Sequence, residues 1–163
     1  MKSLFLNIGK RSRKAFTKQL SSKKKDKILK NYYQLIEKNK NLILSENKKD
    51  TNNAYKNRLK DNFIKRLILD DKKILEITNS IKRIIKLKDP TNIILEKWKR
   101  PNGLNISKVS IPIGVIAIIY ESRPNVTSDV ASLCFKSGNA VILKGGSEAF
   151  YSNRILSKLF RRS

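Results

Sequence analysis

The 163-residue chain contains no histidine and a single cysteine, Cys134. One thiol cannot form a disulfide framework within the chain. Without histidine, neither a Ser-His-Asp triad nor a histidine-bearing metal site can be built. No apolar run approaches the ~20 residues that span a bilayer, so no membrane partner is expected. Acidic residues are scarce too: 13 Asp and Glu stand against 37 Lys and Arg, giving a formal net charge of +24. The lone thiol suits a reducing compartment, and a cytoplasmic location is expected.

The positive charge is concentrated in residues 1–100, net +19, against +5 in residues 101–163. Such an excess serves two purposes in general. It is the electrostatic footprint of a nucleic-acid or anionic-lipid binder, or it is solvated surface in a chain rich in Lys, Asn and Ile together. The second reading is favoured. The lysines are scattered between apolar positions, and neither a zinc-finger spacing nor the aromatic sheet motif of an RNA-binding module is present. A basic nucleic-acid-binding protein is kept as the alternative class. No acidic residue precedes Asp26. Residues 1–20 therefore suit a transit peptide or a first helix with Leu4, Ile8, Ala15 and Phe16 on one side.

Along the chain, Ser21-Ser22 suits a helix N-cap, followed by Ile28, Leu29, Tyr32, Tyr33, Leu35 and Ile36 at helical spacing. Residues 45–58 are polar and Asn-rich, and read as a loop or ragged helix. Asp70 caps an amphipathic helix with Ile74, Ile77, Ile81, Ile84 and Ile85, which Asp89-Pro90 ends. Two strands are expected at 93–95 and 106–109, around the turn Pro101-Asn102-Gly103. The run 113–120 is apolar on both faces, as in a central parallel strand. A helix from Val126 to Lys136, burying Val126, Val130, Leu133 and Cys134, ends at Gly138. A second buried strand, 140–143, feeds a last helix through Ile155, Leu156 and Leu159. The order β-α-β-α from 113 to 160 is the start of an open α/β sheet. Two parallel strands do not close such a sheet. Further strands are expected from a longer parent chain, the favoured reading, or from another chain.

Two polar clusters follow the two apolar strands. Lys144-Gly145-Gly146-Ser147-Glu148 leads into a helix, where glycines permit close backbone approach and helix amides favour an anion. It is neither a P-loop nor a Gly-x-Gly-x-x-Gly fingerprint, and reads equally as a tight strand-to-helix turn. Glu121-Ser122-Arg123-Pro124-Asn125 sits at the carboxyl end of the other strand, where open α/β sheets bind ligands. Loop-stabilising hydrogen bonds are the alternative role for Arg123 and Asn125. Cys134 lies mid-helix at apolar spacing and reads as a packed thiol, not a nucleophile.

The stretch Lys108-Val-Ser-Ile-Pro-Ile-Gly-Val-Ile-Ala-Ile-Ile-Tyr-Glu-Ser-Arg-Pro-Asn-Val-Thr127 is similar to the gamma-glutamyl phosphate reductase (glutamate-5-semialdehyde dehydrogenase) family of the aldehyde dehydrogenase superfamily. So are Asp129, Leu133-Cys134, Lys136-Ser-Gly-Asn-Ala-Val-Ile-Leu-Lys-Gly-Gly-Ser-Glu148 and Ser152-Asn153. Looser resemblance runs through Gly9-Lys10, Leu20–Lys23, Asp89-Pro90 and Pro101–Leu104, and makes residues 1–20 the family's first helix.

The resemblance implies an α/β, aldehyde dehydrogenase-like fold, truncated. A helical region (1–90) is followed by a β-hairpin that serves oligomerisation (91–110). The first β-α-β-α of an open parallel cofactor-binding sheet comes last (111–163), an incomplete dinucleotide-binding domain. It also implies an oxidoreductase of proline biosynthesis, which reduces L-glutamyl 5-phosphate to L-glutamate 5-semialdehyde with NADPH. The family's catalytic thiolate lies in a portion this chain lacks, and Cys134 matches a noncatalytic cysteine. No catalytic residue and no metal site is therefore expected here, and the chain alone is expected to be inactive. By matching position, Lys144 and Glu148 meet the adenosine ribose, Ser147 and Lys144 favour a 2′-phosphate, and Gly145 and Gly146 complete that loop. Tyr120, Glu121, Ser122, Arg123, Pro124 and Asn125 line the nicotinamide side. Family members often carry Arg where Lys144 stands. A homo-oligomer, or a non-catalytic fragment pairing with full-length subunits, is the expected partner arrangement.

Overall fold

The computed structural model describes residues 2–18 and 20–163. Among the described residues seven α-helices and four strands follow one another: α1 (Lys2–Phe16), α2 (Ser22–Lys38), α3 (Lys40–Lys56), α4 (Asp61–Leu67), α5 (Asp71–Lys86), β1 (Ile94–Lys99), β2 (Asn105–Val109), β3 (Val115–Ile119), α6 (Pro124–Lys136), β4 (Ala140–Lys144) and α7 (Phe150–Arg162), with a short 3-10 turn at Ser147–Ala149.

The isoleucine-rich faces found by periodicity make the core. Leu29, Tyr32 and Ile36 of α2 meet Ile74, Ile77, Ile81 and Ile84 of α5, and Ile155, Leu156 and Leu159 of α7 close the cluster. Each such side chain contributes about 1.5–3 kcal/mol by leaving water. Asp70 caps α5 as expected, its Oδ1 accepting from the Lys73 amide at 2.7 Å. Ser21 occupies the N-cap of α2 in an extended conformation, but its side chain makes no capping bond. That expected hydrogen bond is absent.

The expected loop or ragged helix at 45–58 is, through Lys56, part of the continuous helix α3. Its buried face is largely polar: Asn47, Asp50 and Thr51 accompany Ile43 and Ala54. Asn47 Oδ1 accepts from the Leu69 amide at 2.7 Å, and its Nδ2 donates to the Leu67 carbonyl at 2.9 Å. Hydropathy reads such a face as solvent-exposed, because its hydrogen bonds are made to segments distant in sequence.

Helix α6 also presents a different face from the one expected. Leu133 is 47% exposed, and Val126 and Val130 are only partly covered. Cys134 is buried as expected, but its buried companions are Thr127, Ser128, Ala131 and Ser132. These small side chains let α5 and α7 approach closely, and Ser128 Oγ lies 2.7 Å from the Tyr32 hydroxyl. Gly138 follows α6 with φ of 74°, a conformation costly for any side chain, and a Cβ there would lie 3.0 Å from Pro112 and 3.1 Å from Thr91.

Two lysines are buried where α2, α5 and α6 converge. Lys25 pairs with Asp89 at 2.8 Å, and Lys136 pairs with Asp26 and donates to the Ile85 carbonyl at 3.0 Å.

Strands β1 and β2 form an antiparallel hairpin around the Pro101–Gly103 turn. Strands β3 and β4 are parallel, in register from Val115 opposite Ala140 to Ile119 opposite Lys144. Helix α6 connects them, and α1 also packs on this pair. The expectation that 113–120 is buried on both faces is not met in these residues. Val115, Ala117 and Ile119 are exposed, while Ile116 and Ile118 are half-buried. Among the described residues β3 pairs on one edge only, and its face carrying Val115, Ala117 and Ile119 is exposed.

Candidate functional site

Parallel pairing places the carboxyl ends of β3 and β4 side by side. The Tyr120 amide donates to the Lys144 carbonyl at 3.1 Å, so the segments 120–125 and 144–148 leave the sheet together. The two polar clusters expected to share one edge do so.

Their side chains divide into an inner and an outer set. In the inner set, the Tyr120 hydroxyl lies 2.6 Å from Thr127 Oγ1, which donates to Asn153 Oδ1 at 2.7 Å. With its proton committed to Asn153, Thr127 accepts from Tyr120. Burial pushes the Tyr120 phenol above its usual range, even though the bond with Thr127 acts in the other direction. Ser122, 3% exposed, donates to Glu148 Oε2 at 2.7 Å. That hydroxyl, the Glu148 amide and the Ser147 side chain hold the Glu148 carboxyl below the usual glutamate range, with a smaller opposing effect from burial. Pro124 is buried in the first turn of α6, where its missing amide proton and fixed φ suit the helix start. The outer set is Lys144, Ser147, Glu121, Arg123 and Asn125, all exposed. Glu121 forms an exposed pair with Arg66 at 3.3 Å, of a kind that contributes at most about 1 kcal/mol.

The two glycines also have a packing role within the chain. A Cβ on Gly145 would lie 2.4 Å from Asn153 Nδ2 and 2.9 Å from the Tyr120 hydroxyl, and one on Gly146 would lie 2.1 Å from Ser122 Oγ. Both residues are small because the inner hydrogen-bonded set fills the space over them.

The amides of the last helix are likewise taken from within. Asp50 of α3 accepts from the Tyr151 and Ser152 amides at 3.0 and 2.8 Å and from Ser152 Oγ at 2.6 Å. The expectation that an external anion uses the start of α7 is corrected accordingly: a carboxylate of the chain occupies that position. Asp50, Thr127 and Asn153 shape the site without having been singled out in the sequence. Asn153 and Thr127 lie at the margins of the family-like stretches, and Asp50 lies in the segment read as a loop or ragged helix.

Cys134 is 7% exposed within α6, and burial pushes its thiol above the usual range. It has the surroundings of a packed thiol and not of a nucleophile.

This arrangement of helices and parallel strands has the fold of aldehyde dehydrogenases. A putative aldehyde dehydrogenase from Bacillus subtilis superposes with a TM-score of 0.65 at 15% identity, over 91% of this chain and 31% of that one. A nearer likeness is to gamma-glutamyl phosphate reductase. The crystal structure of that protein from Thermotoga maritima matches with a TM-score of 0.93 and 36% identity, over 96% of this chain and 38% of that one. The gamma-glutamyl phosphate reductase of Nautilia profundicola is 49% identical over 161 residues, 99% of this chain and 39% of that protein. No family model matches the chain. Over nearly its whole length, then, the chain is homologous to gamma-glutamyl phosphate reductases. It spans about two fifths of the length of the curated relatives it matches.

Proposed function

We propose that this chain is the N-terminal, cofactor-facing part of a cytoplasmic gamma-glutamyl phosphate reductase. The parent activity is the NADPH-dependent reduction of L-glutamyl 5-phosphate to L-glutamate 5-semialdehyde, a step of proline biosynthesis. One observation carries this reading: the carboxyl ends of two adjacent parallel strands put Lys144, Ser147 and Glu148 beside the 120–125 turn. Open α/β sheets bind ligands at that place.

The residues present fit the adenosine end of such a cofactor. Lys144 supplies a cation and Ser147 a donor, both exposed, and Glu148 supplies an ionised acceptor for a ribose hydroxyl. When bound, NADPH supplies the hydride. The chain's own part is to orient the adenosine half and to fix the loop beneath it. Glu121, Arg123 and Asn125 form the outer wall on the nicotinamide side, while Tyr120, Ser122 and Pro124 hold that wall in place. The acyl-transfer thiol that the resemblance implies is not Cys134, so these residues hold no nucleophile for the chemical step. In a coupled assay, the purified chain with NADPH and freshly generated glutamyl phosphate is expected to show no turnover. Turnover above background would contradict this division of labour.

The surplus of lysine is read as solvated surface, since the similar proteins named above are enzymes. The β1–β2 hairpin is proposed as an assembly element, with a second copy covering Leu95, Trp98 and Leu104, which are 56%, 43% and 57% exposed. Sedimentation velocity is expected to show a concentration-dependent dimer that Trp98→Lys weakens. A monomer at all concentrations would remove this role.

A further inference from the structure

The turn that carries Arg123 and Asn125 is closed on itself by a side-chain bond. The chain leaves β3 and enters α6 at Pro124, and the Tyr120 hydroxyl reaches across the turn to lie 2.6 Å from Thr127 Oγ1. Thr127 is 1% exposed, so its hydroxyl is out of reach of solvent. It passes its own proton to Asn153 Oδ1 of α7 at 2.7 Å. Asn153 in turn lies over Gly145, where a Cβ would sit 2.4 Å from its Nδ2 and 2.9 Å from the Tyr120 hydroxyl. One buried hydroxyl thus joins the end of β3, α6 and α7. Arg123 and Asn125 are exposed, so their backbone, and not the packing of their side chains, sets where they stand.

We propose that Thr127 is a positioning residue that fixes the nicotinamide-side wall of the crevice. It accepts from Tyr120 and donates to Asn153 at once, which a hydroxyl does and an aliphatic side chain of the same shape does not. Without that hydroxyl, Tyr120 and Asn153 lose their shared partner. Both are only partly buried, so each turns towards water, and the backbone from 120 to 127 is no longer closed. Ser122 stays tied to Glu148, so the 144–148 loop keeps its anchor while Arg123 and Asn125 shift. The inference rests on the reading of this crevice as a dinucleotide site and adds the residue that holds one of its walls.

The test titrates NADPH and its adenosine half, adenosine 2′,5′-bisphosphate, calorimetrically into the 163-residue chain. Thr127→Val keeps the shape and removes the hydroxyl. It is expected to weaken NADPH by about fivefold or more, the value of one hydrogen bond, and to leave the half-ligand within about twofold. Thr127→Ser restores the hydroxyl and is expected to bind both probes as the wild type does. Tyr120→Phe removes the same bond from its other end, and is expected to act like Thr127→Val should that variant fold poorly. Amide exchange gives a readout without ligand. The Arg123 and Val126 amides donate within the turn, to the Glu121 and Arg123 carbonyls, and are expected to exchange faster in Thr127→Val and not in Thr127→Ser. Unchanged NADPH binding in Thr127→Val, equal weakening of both probes, or a serine variant as weak as the valine one would overturn the role of Thr127 alone. A wild type that binds neither probe would overturn the crevice reading itself.

Discussion

Replacing Lys25 with methionine is expected to destabilise the chain by about 3–5 kcal/mol, because it leaves a largely buried carboxylate without its cation. Lys25 is 2% exposed, and its Nζ lies 2.8 Å from Asp89 Oδ2 and 3.3 Å from both Thr91 Oγ1 and the Lys136 carbonyl. One ammonium thus satisfies three acceptors that join the end of α5 to the end of α6. Methionine fills the space of the aliphatic stem, so the loss reads the charge and its hydrogen bonds more than packing.

The pH dependence gives a second signature of the same pair. Burial raises the Asp89 carboxyl, but Lys25 and the Thr91 donors outweigh it and hold the group below its usual range. A carboxylate whose folded pKa is depressed contributes stability that is present above its unfolded pKa and lost as pH falls through the folded one. Urea unfolding at neutral and acid pH is therefore expected to show a flatter acid side in Lys25→Met than in the wild type. A loss below about 1 kcal/mol at neutral pH would place this pair among weak surface contacts instead.

The second large effect is expected at Asp50. Its replacement by alanine removes three hydrogen bonds to α7 and leaves two helix amides and a buried hydroxyl without their acceptor, for a loss of about 2–4 kcal/mol. The sign of its pH dependence is opposite to that of Asp89. Burial raises the Asp50 carboxyl above its usual range despite the three donors, and the Glu46 carboxylate adds to the rise. A raised carboxylate contributes most below its unfolded pKa, and that contribution declines as pH rises through its folded value. Thermal unfolding of Asp50→Asn, which cannot titrate, is expected to lack that decline. An Asp50→Ala chain as stable as the wild type would show that α7 does not depend on this cap.

The two aspartates also show where sequence reasoning stopped. The isoleucine periodicity of α5 and the Asp70 cap were legible because both are local: a 3.6-residue spacing and a carboxylate three residues from its amide. The parallel pair β3–β4 was legible from two apolar runs flanking a helix, and with it the shared edge of the candidate site. The polar face of α3 was not, because Asn47 and Asp50 find their partners at residues 67, 69, 151 and 152. The buried face of α6 was legible only at Cys134, for a related reason. The rest of its buried side is mostly Thr, Ser and Ala, whose value lies in close approach and not in hydropathy. At the site, the shared strand edge was legible but the packing role of the glycines was not. Gly145 and Gly146 make room for Tyr120, Asn153 and Ser122, contacts that no spacing rule contains.

Chemical-shift mapping of the isotope-labelled chain titrated with NADPH tests the central claim most directly. Saturable shifts are expected, concentrated at Lys144, Ser147 and Glu148 and extending to the 120–125 turn. Shifts that scatter over the lysine-rich helices α2, α3 and α5 and vanish with added salt would contradict it, since that pattern belongs to a basic surface gathering any polyanion.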